Sequence, residues 1–140
     1  MLSKSKVEDE EEHIRSQAAQ LPEQARQAFY SQFNAKVKDP DTFAVLAYSF
    51  GLSFHHFYLG KWVRALIELA ITFIGFAIWL SSLFITLTET SFNDSMSPIA
   101  LGYLPLIAIG LIELYSLFRA QIIVQDHNNR TMRQILSTLE

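Results

Sequence analysis

Residues 65–88, ALIELAITFIGFAIWLSSLFITLT, form an apolar run interrupted only by Glu68 and a few small hydroxyls. As a helix rising about 1.5 Å per residue, such a run is about 36 Å long, enough to cross the roughly 30 Å hydrocarbon layer of a bilayer. A second run, Ile99–Val124, is also long enough, although it carries Pro105, Glu113 and Arg119. Pro105 is expected to kink it. Between the two lies ETSFNDSMSP (89–98), a polar stretch that reads as a turn-forming loop. A third apolar segment, Phe43–Phe54, has about 12 residues before His55 and His56, short of the roughly 20 that span as a helix. The chain therefore reads as an all-α integral membrane helical bundle, with two spans and a third membrane-embedded segment.

Charge is distributed against this apolar content. Most of it lies in residues 1–41, and the net charge of -3 arises largely from Glu8, Asp9, Glu10, Glu11 and Glu12. No basic patch interleaved with aromatics is present, so nucleic acid is not an expected partner. There is no cysteine, which excludes disulfides, thiolate metal sites and thiol catalysis. The polar N-terminal sequence lacks the apolar core of a secretory signal, so insertion is expected to be driven by the internal segments.

Three regions follow. Residues 1–41 comprise a mobile charged tail and an amphipathic helix, in which Ala25, Phe29, Phe33 and Val37 recur every fourth residue. Pro22 and Glu23 suit that helix's first turn, and Asp39 suits the cap of the next, with Pro40 at its first position. Residues 42–124 form the membrane domain. Residues 125–140 form a short amphipathic tail, with Met132, Ile135, Leu136 and Leu139 at helical spacing after caps at Asn128 or Asn129.

The 89–98 stretch has no Lys or Arg, whereas Lys61, Arg64, Arg119, Arg130 and Arg133 flank the two long segments. Cytoplasmic loops are enriched in basic residues. That rule places 89–98 outside and the C-terminus in the cytoplasm, with a bacterial inner membrane as the expected location. If residues 43–59 span, the N-terminal tail with Lys36 and Lys38 lies outside; if they re-enter, all eleven Lys and Arg fall on the cytoplasmic side.

Ionisable residues within membrane segments are costly, and they usually face protein and pair. Arg64 and Glu68 are four apart on one helical face. Glu68 in ALIELA and Glu113 in GLIELY occupy similar hexads of opposed segments. His55, His56, Arg64, Glu68, Glu113 and Arg119 are expected to gather in one layer near the cytoplasmic surface, with Tyr58 and Trp62 as interfacial anchors. His55 is the expected partner of Glu68 or Glu113. Adjacent helical side chains diverge by about 100°, so the two histidines are not expected to share an ion, and no metal site is assigned. No phosphate loop, nucleophile elbow or His-Glu-x-x-His motif is present, so no catalytic residue and no cofactor is assigned. His13 and His127 lie in polar contexts that suit solvated side chains.

Residues 46–62, LAYSFGLSFHHFYLGKW, resemble the signature of the TM-2 domain, a small membrane domain whose first helix runs into Gly-x-His-Arg-Phe-Tyr-Leu-Gly. Gly51, His55, Phe57, Tyr58, Leu59 and Gly60 agree with it, Ser53 stands for a Gly, and His56 for the Arg. Glu113 is similar to the acidic residue of that family's second helix, and Asn128 to the Asn that follows it. The spacing from Gly60 to Glu113 is about twice the usual one, and the tryptophan pair before the acid is missing. The resemblance implies no established catalysis. The favoured expectation is a non-enzymatic membrane module in the lipid bilayer that assembles with itself or with another membrane protein through its polar layer and N-terminal helix. The competing expectation is a small oligomer that conducts ions or protons through His55, Glu68 and Glu113.

Overall fold

The computed structural model describes residues 3–49, 52–88 and 92–139, with side chains except those of 86–88 and 92–101. Among the described residues, seven helices follow in order: α1 (Lys4–Ala19), α2 (Glu23–Lys36), α3 (Pro40–Ala47), α4 (Phe54–Tyr58), α5 (Trp62–Thr88), α6 (Phe92–Phe118) and α7 (Ala120–Leu139). No strand occurs among the described residues, so the fold is all-α. The chain divides into two units, residues 1–43 with 119–140, and residues 44–118.

The chain-end unit departs from the expected mobile tail. Residues 4–19 are a helix, because Val7, Ile14 and Ala18 make a stripe that is buried. Glu11 interrupts that stripe one turn before Ile14. Its carboxylate accepts hydrogen bonds from Gln125 Nε2 at 2.6 Å and Arg15 Nε at 2.8 Å, so the stripe continues through a satisfied charge. Ser3 caps the helix, with its hydroxyl 3.4 Å from the Lys6 amide. Helix α2 contributes Phe29 and Phe33 from the expected stripe, but Val37 is exposed beyond the helix end. Ile14, Ala18, Phe29, Phe33, Met132, Ile135 and Leu136 form one apolar core between α1, α2 and α7.

The C-terminal tail also differs from expectation. Asn128 and Asn129 do not cap a helix at 125–140; both lie inside the continuous α7. Asn128 grips the end of the α2 region, accepting from Lys38 N at 2.9 Å and donating to Lys38 O at 2.8 Å. Asn129, fully buried, donates to Val7 O at 2.8 Å. The Asn128 contacts satisfy backbone groups at the α2–α3 junction, where an unpaired buried amide costs about 1–3 kcal/mol.

The second unit is built on the α5–α6 hairpin. Helix α6 starts at Phe92, so much of the expected 89–98 loop is helical, and the helix continues through Pro105. The two helices meet along residues spaced three or four apart: Ala65, Glu68, Thr72, Gly75, Trp79 and Ser82 on α5, and Gly102, Pro105, Ile109, Glu113 and Ser116 on α6. This is the 3.5-residue period of a left-handed helical pair. The backbones come close where side chains vanish. A Cβ on Gly75 would lie 2.9 Å from Pro105 Cγ, and one on Gly102 would lie 2.8 Å from the Trp79 backbone. Small residues at helix contacts are the usual means of association in membranes, where burying apolar surface gives no advantage over lipid.

Outside this seam, the hairpin is apolar. Leu66, Ile67, Phe73, Ile74, Phe76, Leu80 and Phe84 on α5, and Leu104, Ile107, Leu111 and Phe118 on α6, are exposed. Helix α5 provides one stretch, Trp62–Ile85, long and apolar enough to cross a membrane, and up to two exist if α6 and α7 are counted as one broken span. Only 17% of that α5 stretch is buried within the protein. A core helix of a water-soluble protein would be mostly buried.

The first apolar segment is not one helix. Helix α3 has 8 residues and α4 has 5, both too short to cross a bilayer. Asp39 caps α3 as expected, accepting from Thr42 N at 2.7 Å. Phe43 and Ala47 are buried on α3, whereas Val45 and Tyr48 are exposed.

Candidate functional site

Helix α4 exists to turn the chain. Ser53 precedes it with φ 51°, in the left-handed region that costs a residue with a Cβ about 1–2 kcal/mol. Gly60 follows it at φ 70°. At both positions the resemblance described above expects glycine, and the left-handed conformation is the one that glycine favours. Gly51 of the same signature lies outside the described residues. Between the two turns, Leu59 is buried, Tyr58 and Phe57 are half-buried, and Phe57 packs edge-on against exposed Trp62 with ring centroids 5.0 Å apart.

Both histidines of the short helix are buried, His55 completely. The carboxylate of Glu68, itself buried, collects the surrounding donors. His56 Nε2 lies 3.0 Å from it, Arg64 Nε donates to Oε1 at 3.0 Å, and the Ser53 hydroxyl donates to Oε2 at 3.3 Å. An ionised carboxylate only accepts, so His56 carries its proton on Nε2 in this contact. His56 therefore makes the hydrogen bond to Glu68 that the sequence reading gave to His55, and it does so from the position where the family motif has Arg. Ser53 was missed by the sequence reading. Its signal was a hydroxyl at a glycine position next to a buried acid.

The expected divergence of the two imidazoles also fails. Their ring centroids are 4.0 Å apart, tilted by 43°. The single helical turn of α4, packed against α5, leaves both rings buried and side by side. One ligand atom from each of His55, His56 and Glu68 lies within 4.8 Å of the other two. The rings precede the α5 span. Burial pushes the His55 imidazole down to about 4, helped by the neighbouring His56. Burial also lowers His56, against the opposing pull of Glu68. Both are neutral imidazoles near pH 7, the form that ligates cations.

Of the six residues expected in one polar layer, His55, His56, Arg64 and Glu68 come together. Glu113 is 1% exposed on the seam of α6. The register that opposes Gly75 to Leu106, extended two turns, brings Glu113 level with Glu68. Arg119 occupies the turn after α6 and belongs to the chain-end unit.

Comparison with protein-family models, with curated proteins and with solved structures finds no match to this chain. The class defined by the coordinates is therefore structural: an all-α chain with one helix, or up to two, long and apolar enough to cross a membrane.

Proposed function

We propose that the chain is an integral membrane protein of the TM-2 type, acting as a non-enzymatic assembly module in a bacterial inner membrane, with both chain ends in the cytoplasm. The observation that supports membrane residence most strongly is the apolar outer surface of α5, of which so little is buried within the protein. The charge pattern supports the orientation, because every Lys and Arg lies outside residues 65–118. The Glu68 cluster supports a structural role. Its carboxylate is met by three donors, the arrangement that makes a buried charge tolerable.

A second reading, proton or ion conduction, draws on Glu68 and Glu113 buried at one level of the seam. Reconstitution in vesicles separates the two. The assembly reading expects no proton or cation flux, with Glu68→Gln and Glu113→Gln changing only stability and the size of the complex. Flux that depends on pH and disappears in His55→Ala, while the complex persists, would replace it with conduction.

A further inference from the structure

We propose that His55, His56 and Glu68 form a binding site for a zinc-like divalent transition-metal ion. The inference is independent of the assembly reading and rests on the donor set and its geometry. Two imidazoles and one carboxylate are the protein ligands of many zinc sites that keep a fourth position open. Here all three side chains are more than nine-tenths buried. One ligand atom of each lies within 4.8 Å of the others. Bonds of about 2.0–2.2 Å to a common tetrahedral ion need ligand atoms roughly 3.3–3.5 Å apart. The 3.0 Å contact between His56 Nε2 and Glu68 is already near that range, and small rotations of His55 bring in the third ligand. His56 Nδ1, buried, has no hydrogen-bond partner among the described groups, so it can take the ring proton when Nε2 binds the ion.

The cation now on Glu68 is Arg64. Its side chain is 56% exposed, against 7% for that of Glu68. The guanidinium can therefore swing into water while the carboxylate stays in place. A divalent ion would replace one long-stemmed positive charge with a compact one, shared by three ligands. Arg64 thus competes with the ion for Glu68, which makes the site and a simple hydrogen-bonded staple experimentally distinct.

The test uses the full-length, untagged chain in detergent micelles, freed of metal by chelation. Zinc is titrated by calorimetry and cobalt by visible absorption. One ion per chain is expected, with the strong visible bands of four-coordinate cobalt. Imidazole NMR of the unaltered chain is expected to show two histidines shifting on zinc addition. His56→Ala and Glu68→Gln should weaken binding about a hundredfold or more, beyond the 10–100-fold typical of losing an outer partner. Arg64→Gln should tighten binding, and the double variant His13→Ala with His127→Ala should leave it unchanged. Absence of a stoichiometric ion on the unaltered chain overturns the proposal without recourse to any variant. So does binding that survives His56→Ala or disappears with His13 and His127.

Discussion

The two units of this chain solve opposite problems with the same secondary structure. In the chain-end unit, Phe29, Ile14, Met132 and Leu136 are inside, and most acidic and basic side chains are outside, with Glu11 and Asp126 half-buried. In the hairpin unit, Phe73, Ile74, Phe84 and Leu111 are outside, whereas Glu68, Glu113, Ser82 and Ser116 are inside. A helix places its apolar face wherever its surroundings are apolar. In water that is the protein interior, and in a bilayer it is the outer surface. The inversion is the pattern that a bilayer around the hairpin and water around the chain-end unit would produce, and it supports the proposed membrane residence more directly than the apolar content of the whole chain does. It also predicts that like substitutions have unlike consequences in the two units.

The largest effect is expected in the chain-end unit. Phe29→Ala empties a fully buried site and should destabilise the bundle by about 3–5 kcal/mol, read as a lowered denaturation midpoint of the full chain in micelles. A charge on the outside of the hairpin comes next. Ile74 is 60% exposed, so in water Ile74→Arg would be nearly silent, but at mid-membrane it should cost about 2.5–3.5 kcal/mol and reduce membrane insertion. The matching change Gln134→Arg, on the exposed face of α7, should stay within about 0.5 kcal/mol. Equal effects of these two charges would break the comparison.

The glycines sharpen it further. Gly102→Ala sets a methyl group against the Trp79 backbone and should cost about 1–3 kcal/mol by forcing the helices apart. Gly110→Ala meets nothing within 4 Å and should be neutral or stabilising by up to about 1 kcal/mol. Thermal unfolding of both variants in one detergent measures the difference.

The smallest expected effect is electrostatic. Burial raises the Glu11 carboxyl, but hydrogen bonds from Gln125 and Arg15 outweigh it and hold the group below its ordinary 4.5. A depressed carboxyl stabilises the folded state above its unfolded value and loses that contribution as pH falls through the folded one. Glu11→Gln should therefore remove a contribution of about 1 kcal/mol or less at neutral pH and flatten the loss of stability below pH 4.5. Denaturation curves against pH, with and without the substitution, check it.

Legibility in the sequence followed length and periodicity. Both long apolar runs and the α2 stripe were readable, because many residues report the same pattern. Helix α1 was not, since Glu11 sits within its stripe, and Gln125 of α7 joins Arg15 in making a charge acceptable there. The seam of α5 and α6 was hidden because Gly75, Glu68 and Ser82 carry no apolar signal. Their 3.5-residue spacing was the available clue. At the candidate site, His55, His56, Arg64 and Glu68 were legible together, but Ser53 and the pairing were not. Which histidine reaches Glu68 depends on the left-handed turn at Ser53, a backbone conformation that a serine does not announce.

Membrane crossing by the hairpin is the central claim, and the absence of native cysteine makes it directly measurable. Single cysteines at Ser5, Ser95 and Ser137 are exposed to a membrane-impermeant maleimide in intact cells and in opened ones. The account predicts that Ser95→Cys is labelled in intact cells, and that Ser5→Cys and Ser137→Cys are labelled only after opening. Labelling of all three from the same side would contradict it.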